Sequence, residues 1–390
     1  MNPAERKRIY LDHASAMPVD PRVAEFAGWF LTKDFGNPSS LHSVGNAAKK
    51  ALEDARRKVA ELIHAESPEC IIFTSGATEA NNLAIKGCAL RNQSKGKKII
   101  CSAIEHMSVI NPMKELQKGG FEFSTIPVDS TGLVRLNALE QMIAKDTVLT
   151  SVMYANNEIG TVQPIMAVAD AVHEKGGILH VDAIAAEGRL PIDVQKEGID
   201  LFALSSNDIY GPPGAGALYV KPGVKIQGIM PGGGQEKGLR SGTENLFAIA
   251  GMGEAARIAK LEMEKESARL QRIRDSTISK ILKIDGSRLT GHYKRRLPHH
   301  ASFVFSGIEG ESILLNMDMF YNVQISTGSA CSSKTLEPSH VLLAIGLRHE
   351  EAHGSMVMTL GESSNEDDVP EIVLAVEETV ARLRKMSPVR

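Results

Sequence analysis

Six short apolar runs between residues 70 and 220 constrain the fold of this chain more than any other feature. Each run is four to seven residues long, and polar or helical stretches separate it from the next. Strand-sized runs that alternate with helical segments are typical of a doubly wound, mostly parallel sheet with helices on both faces. We therefore predict an α/β fold with strands at Cys70–Thr74, Lys98–Ser102, Val148–Tyr154, Ile178–Val181, Leu201–Leu204 and Ala217–Val220.

Helical patterns flank this region. Apolar residues recur at helical spacing over residues 45–65, and a longer, increasingly charged helical pattern runs from Asn245 to about Leu282. Beyond His299 the pattern is mixed, with a strand-like Ala301–Phe305 and a helix near residues 368–386. A chain of 390 residues most simply forms two domains. We predict a large domain over residues 15–260 and a smaller α/β domain built from residues 1–14 and 261–390.

Composition excludes several classes of partner. The net charge of −3 implies no general affinity for nucleic acid or acidic membranes, and no apolar stretch approaches the ~18 residues of a membrane span. The charged first ten residues do not resemble a secretory signal. Three of the four cysteines, Cys70, Cys88 and Cys101, lie in or beside apolar runs and are predicted to be buried. No Cys-x-x-Cys pair occurs, and a reducing cytoplasm is the simplest setting.

Polar motifs follow the predicted strands, where ligands bind in doubly wound sheets. Residues 75–79 (Ser-Gly-Ala-Thr-Glu) stand between a strand and a helix, where backbone N–H groups form an anion site. His106, Asn157 and Asp182 each follow a further strand. Taken singly, each is better explained as a helix cap or a satisfied strand-end residue. Together, they predict a pocket for one ring-shaped, phosphorylated ligand.

These segments resemble the class I cysteine desulfurases, which are enzymes that use pyridoxal phosphate (PLP). The resemblance covers nearly the whole chain. It implies the fold type I aminotransferase-like architecture and a homodimer. It rests on the motifs above and on residues 10–12, 36–40, 205–214, Arg240–Thr243, 329–331, 338–342 and 351–355.

The resemblance assigns a role to each matching residue. Ala77, Thr78 and Ser205 would hold the PLP phosphate, and Thr243 would reach that phosphate from the other subunit.

For the ring, the resemblance implies that His106 stacks on the pyridine and that Asn157 lies near its hydroxyl side. Asp182 would pair with the ring nitrogen and keep it protonated, which makes the ring an electron sink.

Four positions depart from the family pattern. Asp208 stands where the family has the lysine that binds PLP covalently, and Asn207 replaces the preceding histidine. Ala185 replaces a glutamine that contacts the ring oxygen, and Val357 replaces an arginine for the substrate carboxylate. A carboxylate cannot form an imine, so covalent PLP is not expected. All four changes concern the aldehyde, the ring oxygen or the amino-acid substrate, and together they predict the loss of desulfurase activity.

Cys331 lies in a run of small and polar residues that is typical of an exposed loop. In the family, this cysteine becomes a persulfide and carries sulfur to an acceptor. A thiolate on such a loop can also bind iron, so Cys331 is a candidate sulfur carrier or transient iron–sulfur cluster ligand.

We therefore expect a desulfurase-like protein of iron–sulfur cluster assembly that docks a scaffold protein and offers Cys331. Two alternatives stay open. One is an enzyme that binds PLP or its amine form noncovalently, with Asp208 as a base. The other is a regulatory subunit of an active paralogue.

Overall fold

Seven strands form the central sheet of the protein. The computed structural model describes residues 6–328 and 338–386. The strand order is β2-β8-β7-β6-β5-β3-β4, and all neighbours are parallel except β8, which is antiparallel to both β2 and β7. The strands are β2 (Ile71–Thr74), β3 (Lys98–Ser102), β4 (Glu122–Ile126), β5 (Thr147–Ser151), β6 (Leu179–Asp182), β7 (Leu201–Ser205) and β8 (Gly216–Val220). The predicted mostly parallel sheet is confirmed, and β4 is an additional edge strand.

Both faces of this sheet are buried, as expected for a parallel sheet between helices. Successive residues of β2 point into different clusters, with Ile71 and Phe73 on one face and Ile72 on the other. The predicted burial of Cys70, Cys88 and Cys101 is confirmed. The covering helices are α1 (Pro21–Thr32), α2 (Ser43–Leu62), α3 (Ala77–Asn92), α4 (Met107–Lys118), α5 (Leu136–Met142), α6 (Ile165–His173) and α7 (Leu246–Ile281).

A second hydrophobic core forms around an antiparallel sheet of order β12-β10-β9, with β1 and β11 paired beside it. The amino-terminal Leu11 belongs to this core, and so does Leu270 of α7. Helix α7 is 36 residues long and therefore contributes to both the first and the second core. The remaining elements are β1 (Ile9–Tyr10), β9 (Ser287–Leu289), β10 (His300–Phe305), α8 (Gly310–Tyr321), β11 (Val323–Gln324), α9 (His340–Ala344), α10 (His349–His353), β12 (Ser355–Thr359) and α11 (Val369–Met386).

No helix among the described residues is long and apolar enough to cross a membrane.

Candidate functional site

The carboxyl ends of the central strands meet at a cavity of about 400 Å³. His106 follows β3, Asn157 follows β5, and Asp182 ends β6, and all three line the cavity. Asn207 and Asp208, in a short 3₁₀ turn after β7, line it as well. The structure thus brings together residues that the sequence placed after separate strands, as parallel strand topology requires.

Asp182 is held at the base of the cavity by two donors. Asn81 Nδ2 donates to its Oδ2 at 2.8 Å, and the backbone N–H of Ile184 donates to its Oδ1 at 3.2 Å. Burial raises the pKa of Asp182, and the nearby His106 imidazole opposes that rise. His106 caps α4, with its Nδ1 accepting from the backbone N–H of Ser108 at 3.1 Å. The pair can therefore present a carboxylate edge and an imidazole to a protonated heteroaromatic ring.

The first turn of α3 forms one end of the same region. Ala77 lines the cavity, and Thr78 is exposed in an adjoining depression beside His106. Strand β8 passes so close that a Cβ on Gly216 would lie 2.6 Å from the Cα of Gly76, so this approach requires glycine. Ser205 ends β7 and is buried.

Thr243 lies apart from this cavity in the single chain, on an exposed segment. The segment is attached to the sheet through Glu236, whose buried carboxylate accepts two bonds of 2.7 Å from Arg56 and one of 2.7 Å from the backbone N–H of Phe73. Glu236 and Lys237 have φ values of 48° and 58°. Both are in the left-handed region, where a non-glycine residue is strained, so the ion pair holds a backbone that would otherwise relax.

Asp208 borders the cavity with part of its side chain and is otherwise enclosed by protein. Burial raises its pKa to about 6, Asp182 adds to that rise, and hydrogen bonds from Ser205 oppose it. Behind it lies Glu187, whose Oε1 accepts from the backbone N–H of Ser205 at 2.7 Å. Burial and the charge of Asp208 raise the pKa of Glu187 well above its usual range. At neutral pH an ionised Asp208 therefore borders the cavity, and burial disfavours the ionised form of the neighbouring Glu187.

The four positions that the resemblance predicts to depart from the desulfurase pattern all line this one cavity: Ala185, Asn207, Asp208 and Val357. Val357 comes from β12 and lines the cavity, whereas its neighbours Met356 and Met358 belong to the second core. Three separate segments therefore bring these four residues to a single space. This convergence could not be read from the sequence without the resemblance.

Several residues of the cavity were not foreseen. His13, Arg189 and His299 all line it, and none of them belongs to a motif that sequence reasoning selected. Burial lowers the pKa of His13 to about 4 and that of His299 well below its usual range, so both imidazoles are neutral at pH 7. Arg189 stands in a turn after β6, where periodicity gives no signal.

Cys331 lies outside the described residues. On one side of it, Gly328 lines the cavity and donates its N–H to Ser355 Oγ at 3.1 Å. On the other side, Ser339 caps α9 and donates to the carboxylate of Glu158. Burial raises the pKa of Glu158 to about 7, and the Ser339 hydrogen bond opposes that rise. No group of three or more possible metal ligands occurs within residues 6–328 and 338–386.

Comparisons with known proteins agree with this architecture. The family model described as aminotransferase class-V matches residues 9–371. A protein named cysteine desulfurase IscS 1, from Archaeoglobus fulgidus, is 54% identical over 379 residues, covering 97% of this chain and 98% of that protein. One from Dictyoglomus turgidum is 45% identical over 384 residues, covering 98% and 97%. Among solved structures, a NifS-like protein superposes with a TM-score of 0.90 at 34% identity, covering 97% of this chain and all of that one.

Proposed function

Because this chain belongs to the class-V aminotransferase family, and within it to the cysteine desulfurases named IscS, we propose that it acts in iron–sulfur cluster assembly without lysine-dependent desulfuration. The observation that carries the proposal is Asp208, a carboxylate at the cavity where the family needs an amine. Ala185 and Val357 in the same cavity remove two further contacts that the family uses. The changes support a loss of cysteine turnover while the fold is retained.

The remaining residues fit PLP as a noncovalent ligand. Asp182 has the carboxylate that a pyridinium nitrogen requires, and His106 lies beside it. The start of α3 at Ala77 offers backbone N–H groups to a phosphate. When bound, PLP supplies an electron sink for carbanions. None of the described residues that line the cavity is a lysine, so none of them offers an amine that could form an imine with the aldehyde.

In this function, Cys331 contacts the iron–sulfur cluster or the scaffold protein that accepts it. A thiolate binds iron directly, and a cluster ligand needs no oxidation of the cysteine. If sulfur arrives as free sulfide, the role of transient ligand therefore requires fewer steps than that of persulfide carrier. The docked partner would be a cluster scaffold protein, and the setting would be the cytoplasm.

A homodimer forms part of the proposal. Trp29, Leu31 and Phe35, at α1 and just after it, expose 54%, 60% and 67% of their surface in the single chain, and Leu41 exposes 94%. All four lie within residues 29–41, and exposed apolar side chains that lie together mark interaction surfaces. In such a dimer, the family resemblance implies that Thr243 of one copy reaches the phosphate site of the other.

Noncovalent PLP chemistry is the second candidate, and the pKa of about 6 for Asp208 favours it, because such a group can exchange a proton near neutral pH. A regulatory subunit of an active desulfurase is the third.

One experiment tests the loss of turnover and the second candidate. Purified protein is incubated with cysteine, with and without added PLP, and released sulfide and alanine are measured beside a free-PLP blank. We expect no release above the blank. Robust turnover by pure protein would refute the proposal. A bound cofactor that absorbs in the near ultraviolet or visible would favour the second candidate.

A further inference from the structure

Arg189 is a buried cation that the rest of the protein leaves almost without acceptors. It is 4% exposed, and its Nε has no partner among the described residues. The one hydrogen bond that its guanidinium donates within these ranges goes to the Met17 thioether, at 3.4 Å. A thioether is a weak acceptor, and an unpaired buried charge is unfavourable. Arg189 therefore lacks the anionic partner that a buried arginine normally has.

Arg189 lines two neighbouring cavities. Its guanidinium sits 5.0 Å from the centre of the Tyr210 ring. It lines the cavity described above and a second cavity of about 400 Å³ between α1 and α7, and Asp208 lines both as well. The charge of Arg189 lowers the pKa of Asp208, yet no ion pair joins the two side chains among the described residues, where the guanidinium donates to Met17 instead. Opposite charges thus face one space without neutralising each other directly.

Arg189 is also the only arginine or lysine among the described residues of the first cavity. The sequence predicted that no cation would face a substrate carboxylate, because Val357 replaces the family's arginine. The structure supplies a cation from another element of the fold, the turn after β6.

We propose that Arg189 is an anion-binding residue of this cavity, which takes a small carboxylate whose other end donates a hydrogen bond to Asp208. The carboxylate matches the two-donor fork of a guanidinium. A simple anion without a donor would be repelled by Asp208, whereas an amino or hydroxy acid satisfies both residues. The ligand is held noncovalently and unchanged. The proposal rests on the proposed function in one respect: it takes Asp208, and no lysine, as the residue that faces the ligand at this position.

Calorimetric titration of the full-length protein, at constant ionic strength and without added PLP, tests this site. The probes are L-alanine, L-lactate, propionate and ethylammonium chloride. We expect alanine or lactate to bind more tightly than propionate, and ethylammonium to bind most weakly. Arg189→Gln should weaken binding of the acids by on the order of ten- to a hundredfold, because a charge-assisted bond is lost. Arg189→Lys keeps the charge but loses the two-donor fork, so its affinity for the acids should lie between those of the wild type and Arg189→Gln. This variant replaces the glutamine variant in the test if the latter fails to fold.

Arg22→Gln is the matched control. Arg22 lines the second cavity but is already paired with Asp20 and Glu262, so its loss should leave binding within about twofold if only distant charge is changed. Equal binding of propionate and alanine would overturn the role of Asp208. If folded Arg189→Gln or Arg189→Lys bound the acids as tightly as the wild type, Arg189 would not be the anion-binding residue. If the wild type bound none of the acids, there would be no such site. Any of these results leaves the desulfuration test unaffected, because turnover is measured separately.

Discussion

Replacing Asp208 by asparagine should stabilise the protein at neutral pH while removing its distinguishing charge. Burial raises the pKa of this carboxyl from the ordinary value of 3.8 to about 6, and Asp182 adds to the rise. A carboxyl with a raised pKa in the folded protein binds its proton more tightly there than in the unfolded chain. Its contribution to stability is therefore fully present below pH 3.8 and is lost as the pH rises through about 6.

The magnitude follows from these two values. At about 1.4 kcal/mol for each pH unit, the difference between 3.8 and about 6 corresponds to about 3 kcal/mol above pH 7. This is an upper limit, because part of the side chain borders a cavity that can hold water. Asparagine has nearly the same shape and no charge. The variant should therefore gain up to that amount over the wild type at about pH 8, and little at about pH 4.

Urea unfolding followed by circular dichroism, at fixed protein concentration and without PLP, measures this gain. Glu187→Gln is a second test of the same linkage, because burial also raises the pKa of the neighbouring Glu187. Its gain in the free energy of unfolding over the wild type should likewise be larger at about pH 8 than at about pH 4. A gain for Asp208→Asn that is equal at both pH values, or an asparagine variant that is less stable at about pH 8, would refute the reasoning.

Three further outcomes are expected. Asp208→Lys should give a new absorption band with PLP without efficient desulfuration, because Ala185 and Val357 remain; family-like turnover in this variant would contradict that. Cys331→Ser should leave fold and dimer intact but abolish labelling by persulfide donors and weaken cluster formation on a scaffold protein, whereas Cys88, whose pKa burial raises to about 12, should be inert in mass-spectrometric mapping. Glu236→Ala should lower the free energy of unfolding by about 3 kcal/mol, because the buried guanidinium of Arg56 then keeps only the half-exposed Glu53 as a carboxylate partner, as urea unfolding can measure.

The sequence predicted six of the seven strands of the large sheet, because each is a buried apolar run with polar residues beyond its end. Strand β4 escaped notice because it is a partly exposed edge strand, whereas all four residues of β2, at the other edge, are buried. The β4 residues Glu122–Ile126 are mostly exposed or half-buried, and only Ile126 is buried. An edge strand needs no apolar face on both sides, so its composition resembles that of a loop.

The residues of the candidate site also fall into two groups, those that the sequence predicted and those that it did not. His106 and Asp182 were predictable because they follow apolar strands within the motifs of a recognisable family. Arg189 and Glu187 were not, because both stand in an irregular turn and their significance arises from neighbours far away in sequence. The charge balance of a cavity depends on what the fold brings together, and it cannot be derived from spacing along the chain.

Helix α7 contributes Met252 to the core around the large sheet and Leu270 to the second core, without a break between them. At 1.5 Å per residue, its 36 residues span about 54 Å. If one core unfolds, α7 unfolds with it. The other core then loses the α7 residues that pack into it, and its apolar surface becomes exposed. We therefore expect the two cores to unfold in a single cooperative transition. A fragment cut within α7 should not fold independently on either side of the cut.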